Sequence, residues 1–312
     1  MTTGPRAAGR PLRVGIQLPE VEWPARWTDL LEIARAAEDV GFDSVWFGDH
    51  LLYRFPDGQT RGPWEAWTTL AALAASTSRV QLGPLVACTA FHNPAILAKM
   101  AATVDEISGG RLILGLGAGW NETEFAGYGF PFDRRIARFE EAFTIVRTLL
   151  QEGAIDFEGD FYQLRDCELV PRGPRPAGPP IMIGSVGPRM LRIALPHATS
   201  WNVWFSDTGN SPRGVPALRD IVDEACRDVG RDPAGIERTV AVQVRMPGGT
   251  GRIQGDYSRQ KESPLAGSPV EIAAELRAYA QEGIGHVQLV VDPITTASIE
   301  ALAAVLEDLD RG

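Results

Sequence analysis

One histidine, His50, shortly follows a stretch with the pattern of a β-strand. It comes after Gly48 and Asp49, and the predicted strand is Ser44–Phe47. An imidazole exchanges protons near neutral pH and can also hydrogen-bond a planar ring. The same pair is equally typical of a turn in which the aspartate and a half-buried histidine make structural hydrogen bonds. The residues alone leave both interpretations open.

Two glycine-rich stretches are further candidates for ligand binding. The sequence GSVG at 184–187 lies between a predicted strand and a predicted helix, where free N–H groups and the helix dipole suit a phosphate. An ordinary tight turn between a strand and a helix has the same pattern. Elsewhere, Gly117 and Gly119 follow the apolar run Leu112–Leu116 and let a flat ligand or another backbone approach closely. Trp120 comes next and is a candidate pocket wall.

Other polar and aromatic side chains give weaker signals. Trp204 is a second candidate for a pocket wall, whereas Trp67 is expected to pack in the core. His92 stands beside a predicted helix cap and is expected to support that helix start. Arg111 and the arginines at 134, 135 and 138 could steer an anion, although a solvated face is the commoner role of such charges.

Composition excludes several classes of protein. The net charge of -10 and the pI near 5.0 argue against a nucleic-acid partner, because phosphate binding needs a basic face. The three cysteines lie far apart without a CxxC pair, so neither a disulfide framework nor a structural metal site is predicted. The N-terminus lacks the apolar core of a signal peptide, and no apolar run reaches membrane length. We therefore expect a soluble cytoplasmic protein without a membrane or nucleic-acid partner.

Alternating strand and helix patterns organise the chain that must position these residues. Eight strands are predicted, each followed by a helix: Leu12–Pro19, Ser44–Phe47, Arg79–Ala87, Leu112–Leu116, Ile181–Ile183, Ser200–Phe205, Arg238–Val244 and His286–Val291. Eight such units in about 300 residues are typical of a (β/α)₈ TIM barrel with insertions, in the α/β class. The alternative is a doubly wound sheet, split at the proline-rich segment Pro171–Pro180. We expect residues 1–11 to be a flexible tail and residues 12–312 to form a single domain.

Barrel enzymes build their sites from the loops at the C-terminal ends of the strands. In this sequence those ends are Gln17–Glu20, Gly48–His50, Leu85–Phe91, Gly117–Trp120, Gly184–Gly187, Phe205–Asp207, the residues from Met246 onward, and Asp292. They contain few paired carboxylates and no clustered metal ligands. Such a site is expected to hold a cofactor that brings its own chemistry.

At this point the sequence resembles the bacterial-luciferase-like oxidoreductases, which depend on flavin or on the deazaflavin coenzyme F420. The resemblance is carried by five segments in the same order: AAEDVGFDSVWFGDH (36–50), the stretch 82–125 that contains LVACTAFHNP and GLGAGWNETEF, the helix RRIARFEEAFTIVRTLL (134–150), PIMIGSVGPRMLRIA (180–194) and SPVEIAAELRAYAQEGIGHVQL (268–289). Together they span nearly the whole chain.

The resemblance implies a luciferase-like barrel, usually a homodimer, with the tricyclic ring of the cofactor over the barrel mouth. It also implies a non-prolyl cis peptide in the third strand, for which Leu85–Val86 is the candidate. Asp49 and His50 match a pair at the ring edge and are the predicted catalytic residues, and Glu124 matches an acid that follows the Gly-Trp pair. The predicted cofactor-binding residues are Gln17, Leu85, Val86, Ala87, Gly117, Ala118, Gly119, Trp120, Gly184, Ser185, Val186 and Gly187, and no metal is expected.

Two departures from the family pattern affect the choice of cofactor. Luciferases place an arginine for the flavin phosphate near the position of Ala118, and its absence favours F420 over FMN. Ala198–Trp201 replaces the Ala-Asp-Gly-Trp run of many relatives, which alters the local turn. The prediction is an F420-dependent oxidoreductase that acts on a small-molecule substrate, and a flavin or F420 reductase is a candidate partner. The alternatives are an FMN-dependent monooxygenase that uses reduced flavin and O₂, and a non-catalytic flavin-binding barrel.

Overall fold

Eight parallel strands surrounded by helices form the protein in the computed structural model, which describes residues 9–251 and 262–311. The barrel strands are β1 (Arg13–Gln17), β2 (Ser44–Phe47), β3 (Gln81–Pro84, resuming at Ala87–Cys88), β4 (Leu114–Gly117), β5 (Ile181–Gly184), β6 (Ser200–Val203), β7 (Glu237–Arg245) and β8 (Ile284–Asp292). The α-helices are α1 (Trp27–Val40), α2 (Ala66–Ser76), α3 (Pro94–Ile107), α4 (Glu122–Tyr128), α5 (Arg135–Gln151), α6 (Pro188–Ala194), α7 (Val215–Asp228), α8 (Pro269–Gln281), α9 (Thr296–Ala301) and α10 (Ala303–Asp310).

The sheet closes on itself through the third strand. Its first piece pairs with β2, its second piece pairs with β4, and the remaining strands follow in order around the ring. A parallel bridge between Leu82 and Leu112 completes the closure. The predicted (β/α)₈ barrel is therefore confirmed. The doubly wound alternative is wrong, because such a sheet would keep two open edges.

The proline-rich segment 171–180 packs against the barrel and the end of α5. Arg175 forms an ion pair with the fully buried Asp105 and donates to the carbonyl of Leu112. Arg172 donates to the backbone at the end of α5, at the carbonyls of Leu150 and Gln151. These contacts satisfy the helix end and hold the segment at the base of β4.

Helix boundaries follow their capping residues closely. Asn93 accepts from the N–H groups of Ala95 and Ile96 and opens α3, whose first residue is the predicted Pro94. Ser268 forms a capping box with Glu271 at the start of α8. Gly41 ends α1 with φ of 99°, a left-handed conformation that favours glycine. The sequence predicts a helix start at Asn93 and at Ser268 and a helix stop at Gly41, and all three are confirmed.

Several connections contain more structure than their sequence indicates. The sequence of Asn121–Phe132 predicts a loop, but this segment contains α4, which Asn121 caps. The predicted hairpin 157–164 is longer and pairs Ala154–Glu158 with Gln163–Glu168, and the last helix is divided into α9 and α10. The loop 51–62 contains a short hairpin of Tyr53–Arg54 and Thr60–Arg61.

The folded barrel begins before the predicted boundary at Leu12. Arg10 is buried and forms ion pairs with Asp43, which immediately precedes β2, and with Asp310, the last residue of α10. Residues 1–8 of the predicted tail, and most of the predicted capping loop 247–264, lie outside the described residues. The ion pairs of Arg10 fasten the N-terminal end of the barrel to its last helix.

Trp46 on β2 is buried against residues of neighbouring strands. Trp46 is fully buried, and its indole N–H donates to Ser44 Oγ, which in turn contacts His286 Nε2 at 2.8 Å. A Cβ on Gly15 would collide with Ser44 Oγ and come within 2.8 Å of the indole nitrogen, and one on Gly83 would collide with the carbonyl oxygen of Ile113 and come within 3.1 Å of the indole ring. Glycine is needed at both positions because these neighbouring atoms occupy the space of a side chain.

Candidate active site

A cavity of about 700 Å³ opens at the C-terminal ends of the barrel strands. This volume lies within the range of small-molecule and cofactor sites. Its lining is mainly apolar with a few convergent polar groups: Gln17, Glu20, Asp49, His50, Leu85, Val86, Ala87, Cys88, Phe91, Gly117, Ala118, Gly119, Trp120, Glu124, Ile136, Gly184, Ser185, Met190, Asn202, Trp204, Phe205, Ser206 and Glu262. All predicted site residues line it except Val186 and Gly187.

His50 is held in place by Glu124 on α4. Nδ1 of His50 lies 3.0 and 3.1 Å from the two carboxylate oxygens of Glu124, which is 1% exposed. The same carboxylate accepts from the N–H groups of Leu51 and Leu52. Glu124 therefore fixes both the imidazole and the backbone that follows it.

The surroundings of His50 raise its pKa above the ordinary value. Burial by itself lowers that pKa, but the hydrogen bond to Glu124 and the negative charges of Glu20, Glu124 and Asp49 outweigh it. With Nδ1 donating to Glu124, the neutral imidazole has its lone pair on Nε2. Within the described chain Nε2 has no hydrogen-bond partner, so His50 can exchange a proton with a molecule in the cavity.

Asp49 has different hydrogen-bond partners from His50. Its Oδ2 accepts from the N–H of Cys88 at 2.9 Å and lies 2.9 Å from Nε2 of His92, and the residue is 4% exposed. These bonds tie the end of β2 to the second piece of β3. Asp49, predicted as a catalytic residue, lines the cavity and holds these two partners in place. His92, predicted to support a helix start, is its partner.

Several glycines around the cavity make room for the side chain of Val86. The Leu85–Val86 peptide is cis, as the resemblance implied. A Cβ on Gly117 would come within 2.8 Å of Val86 Cγ2, one on Gly115 within 2.9 Å of Cγ1, and one on Gly184 within 3.1 Å of both methyl groups. These glycines leave room for the Val86 side chain on the cavity floor, in addition to any ligand above it.

Substituting Gly117 with alanine is expected to disturb this floor. The new methyl would push Val86 toward the cavity and lower the free energy of unfolding by about 1–3 kcal/mol, the usual cost of overpacking. Urea unfolding measures the loss. Gly235→Ala is the matched control, because no atom lies within 4 Å of the new Cβ and φ is not positive there. Equal stability of the two variants would contradict the packing role of Gly117.

The predicted phosphate segment 184–187 offers fewer donors than its sequence indicated. The N–H of Gly187 donates to Ser185 Oγ, and the next residue, Pro188, has no N–H. The carbonyl of Ser185 accepts from the indole of Trp201 at 2.7 Å, which fixes the turn. Ser185 faces the cavity, whereas Val186 does not line it and is exposed.

Glu20 lines the cavity at the end of the predicted segment Gln17–Glu20, although it was not among the predicted site residues. It is 5% exposed, accepts from the side-chain amide of Gln17 and from Tyr53 Oη at 3.3 Å, and contributes to the charge around His50. Gly48 makes room for it, because a Cβ there would collide with its carboxylate. The Gly48-Asp49-His50 turn, which lies next to Glu20 in the fold, was the available signal for a site here. Nothing in the sequence places Glu20 beside that turn.

Aromatic rings form the walls of the cavity, as predicted for Trp120 and Trp204. The centroid of the Trp120 ring lies 5.5 Å from that of His50, and the Tyr53 centroid lies 4.9 Å from His50 on another side. Trp120 is 41% exposed and can therefore still cover a bound molecule. Trp67 packs in the core as expected.

Arg111 is structural and does not face the cavity. Its guanidinium donates to carbonyl groups at the end of α2 and beyond it, at Ala74, Thr77 and Val80. The other three arginines lie around α5: Arg134 and Arg138 stack on Phe161, and Arg135 stacks on Phe132. None of the four lines the cavity.

Residues 9–251 and 262–311 contain neither a metal-binding cluster nor a membrane-spanning helix. Within these ranges no three His, Cys, Asp or Glu side chains are arranged to hold a metal ion. No helix in the same ranges is both long and apolar enough to cross a bilayer.

Comparison with known proteins gives consistent matches. A family model described as luciferase-like monooxygenase matches residues 10–246. The chain is 32% identical over 321 residues to the F420-dependent glucose-6-phosphate dehydrogenase of Amycolatopsis mediterranei, covering 96% of this chain and 90% of that protein. It is 34% identical over 240 residues to a phthiodiolone/phenolphthiodiolone dimycocerosates ketoreductase of a Mycobacterium species, covering 70% and 61%.

A solved structure has the same fold. The F420-dependent secondary alcohol dehydrogenase in complex with an F420-acetone adduct superposes with a TM-score of 0.80 at 22% identity, covering 96% of this chain and 99% of that chain. At this identity the likeness concerns the barrel architecture.

Proposed function

Because this chain belongs to the luciferase-like monooxygenase family, we propose that it is an F420-dependent oxidoreductase. It transfers a hydride between C5 of the deazaflavin and a small organic substrate. The observation that carries this proposal is His50, which borders the cavity while the buried Glu124 holds its Nδ1. The relative from Amycolatopsis mediterranei, whose name specifies F420, supports this choice of coenzyme.

The cavity fits a flat tricyclic ring with a phosphorylated side chain. The backbone of Leu85–Ala87 and Ala118 supplies an apolar floor for the ring, and Gly117 and Gly184 keep side chains out of its path. Ser185 lines the cavity, and its hydroxyl, which accepts from the N–H of Gly187, keeps its own O–H to donate to the phosphate. Ala118 cannot supply the positive charge that luciferases use for FMN, and F420 is therefore the preferred cofactor.

His50 supplies the proton chemistry in this proposal. A bound deazaflavin would supply the hydride chemistry. An alcohol that loses a hydride must also lose its hydroxyl proton, and neutral His50 receives that proton at Nε2. In the opposite direction, protonated His50 returns it to the carbonyl oxygen. Glu124 stabilises the imidazolium in both cases, and the raised pKa of His50 strengthens it as a base.

Separate titrations with F420 and FMN test the choice of cofactor. We expect F420 to bind with a Kd of about 1 μM or tighter and FMN to bind at least about tenfold more weakly. Quenching of cofactor fluorescence measures both. Micromolar binding of FMN without binding of F420 would instead favour the FMN-dependent monooxygenase. Cofactor binding without turnover of any alcohol or carbonyl substrate would favour a non-catalytic flavin-binding barrel.

The remaining predictions concern the assembly and surroundings of the protein. We propose a homodimer and a cytoplasmic location. A flavin or F420 reductase partner is part of the proposal only if the enzyme consumes reduced cofactor. Sedimentation of the purified chain measures the oligomeric state.

A further inference from the structure

The second piece of β3 is held on one side by a side chain instead of a neighbouring strand. The first piece, Gln81–Pro84, pairs with β2, whereas the second piece, Ala87–Cys88, pairs with β4. Where the ladder to β2 has ended, the N–H of Cys88 donates to Oδ2 of Asp49 at 2.9 Å. The second piece belongs to the proposed floor for the cofactor ring. The carboxylate of Asp49 therefore supports that floor.

The same oxygen of Asp49 has a second partner, His92. Nε2 of His92 lies 2.9 Å from Oδ2 of Asp49. Because an ionised carboxylate can only accept, Nε2 carries a proton and donates it. The side chain of Asp49 is buried and that of His92 is largely buried. The hydrogen bond is thus shielded from water, where it counts for more than it would at the surface.

We propose that His92 is a positioning residue for the cofactor: it fixes the carboxylate of Asp49, and this carboxylate fixes the second piece of β3 beneath the ring. This inference rests on the proposed function, since it concerns the same cofactor site. His92 is not among the described residues that line the cavity. Its effect on a bound cofactor must therefore pass through Asp49.

The ring of His92 is itself held in a defined place. It meets the ring of Trp67 edge-on, with 6.4 Å between the centroids, and Trp67 is buried in the core. The backbone N–H of His92 donates to the carbonyl of Thr89, across the short turn Thr89–Phe91. The hydroxyl of Thr89 in turn donates to the carbonyl of Gly117 on β4. A donor fixed in this way can orient the carboxylate that it contacts.

His92 also precedes Asn93, which caps α3, so its loss could act only by weakening that helix start. The side chain of Asn93 accepts from the N–H groups of Ala95 and Ile96. Alanine at this position removes the cap and destabilises the helix start. It leaves the contact between His92 and Asp49 intact. Asn93→Ala is therefore the matched control, because it separates support of the helix from support of the floor.

The experiment compares wild type with His92→Leu, His92→Gln and Asn93→Ala. Leucine cannot donate and leaves the buried carboxylate without one of its partners, whereas glutamine keeps an N–H donor at its own Nε2. Quenching of F420 fluorescence gives the Kd of each protein, and urea unfolding gives its stability. Hydrogen exchange at the amide of Cys88 is measured without any cofactor. It is divided by exchange at the amide of Val45, in the middle of β2, so that changes in global stability cancel.

We expect His92→Leu to raise the Kd for F420 by about tenfold and the exchange ratio by about tenfold, the usual effect of losing one hydrogen bond to a charged group. His92→Gln should stay within about threefold of wild type in both measurements, because its amide replaces the lost donor. Asn93→Ala should be less stable than wild type but should also stay within about threefold in both.

Three outcomes would overturn the proposal: equal Kd values for His92→Leu and Asn93→Ala, an unchanged exchange ratio in His92→Leu, or a His92→Gln variant that binds F420 as weakly as His92→Leu. Absence of F420 binding by wild type would count against the proposed function instead. The exchange ratio needs no cofactor, and it would still decide whether His92 holds the second piece of β3.

Discussion

Replacing His50 with alanine is expected to lower kcat by about 10²–10⁴-fold, the range that a general acid or base contributes. Among the described residues that line the cavity, His50 has the imidazole that can take up and return a proton at Nε2. Glu124 holds its other nitrogen, Nδ1. Binding of F420 should change by less than about threefold, because the floor of Leu85–Ala87 and Ala118 is untouched. Steady-state rates and an F420 titration on the same preparation separate the two effects.

The matched control for this substitution is His197→Ala. His197 is exposed and contacts Phe143 outside the cavity, so its removal should leave kcat within about twofold of wild type. Added imidazole should restore part of the activity of His50→Ala, because the lost group acts through a proton. Full activity of His50→Ala would exclude the proposed role of this histidine.

Replacing Glu124 with glutamine is expected to have the second-largest effect, on stability and on pH dependence together. Glutamine keeps an oxygen for the N–H groups of Leu51 and Leu52 but removes the charge that favours protonated His50. The pKa of His50 should fall toward its ordinary value, and the pH–rate limb that it controls should move to lower pH. The pH–rate profiles of both proteins measure this displacement.

The stability change has a defined sign. Because the folded-state pKa of His50 is raised, the stabilisation from the pair is fully present below the unfolded-state pKa of about 6.5 and is lost as pH rises through the folded-state pKa. The difference between wild type and Glu124→Gln should therefore be largest, about 1–3 kcal/mol, near pH 6 and should shrink toward pH 9. Urea unfolding at several pH values measures it.

Glu122→Gln is the control for both measurements, because Glu122 is the first residue of the same helix, α4, and its side chain is exposed. A stability difference that does not change with pH would mean that Glu124 acts only through the backbone of Leu51 and Leu52. Identical pH–rate profiles of wild type and Glu124→Gln would remove His50 as the titrating group.

Local patterns in the sequence determined the fold. Strand and helix periodicity requires only neighbouring residues, and so do the caps Asn93, Ser268 and Gly41, so the barrel and most helix ends were predictable. The resemblance added the cis peptide at Leu85–Val86. The barrel rule then selected the strand ends that line the cavity, His50 and Trp120 among them.

The partners of those residues required the tertiary structure. Glu124 lies 74 residues from His50 in sequence, and Asp49 lies 39 residues from Cys88, whose N–H it accepts. A glycine in the sequence looks the same whether a ligand or a neighbouring side chain occupies the space beside it. Only the fold shows that the Val86 side chain occupies the space beside Gly117. The sequence by itself determined which strand ends meet. Closure of the barrel decided which side chains touch there, because contacts between distant strands depend on register and twist that no local pattern encodes.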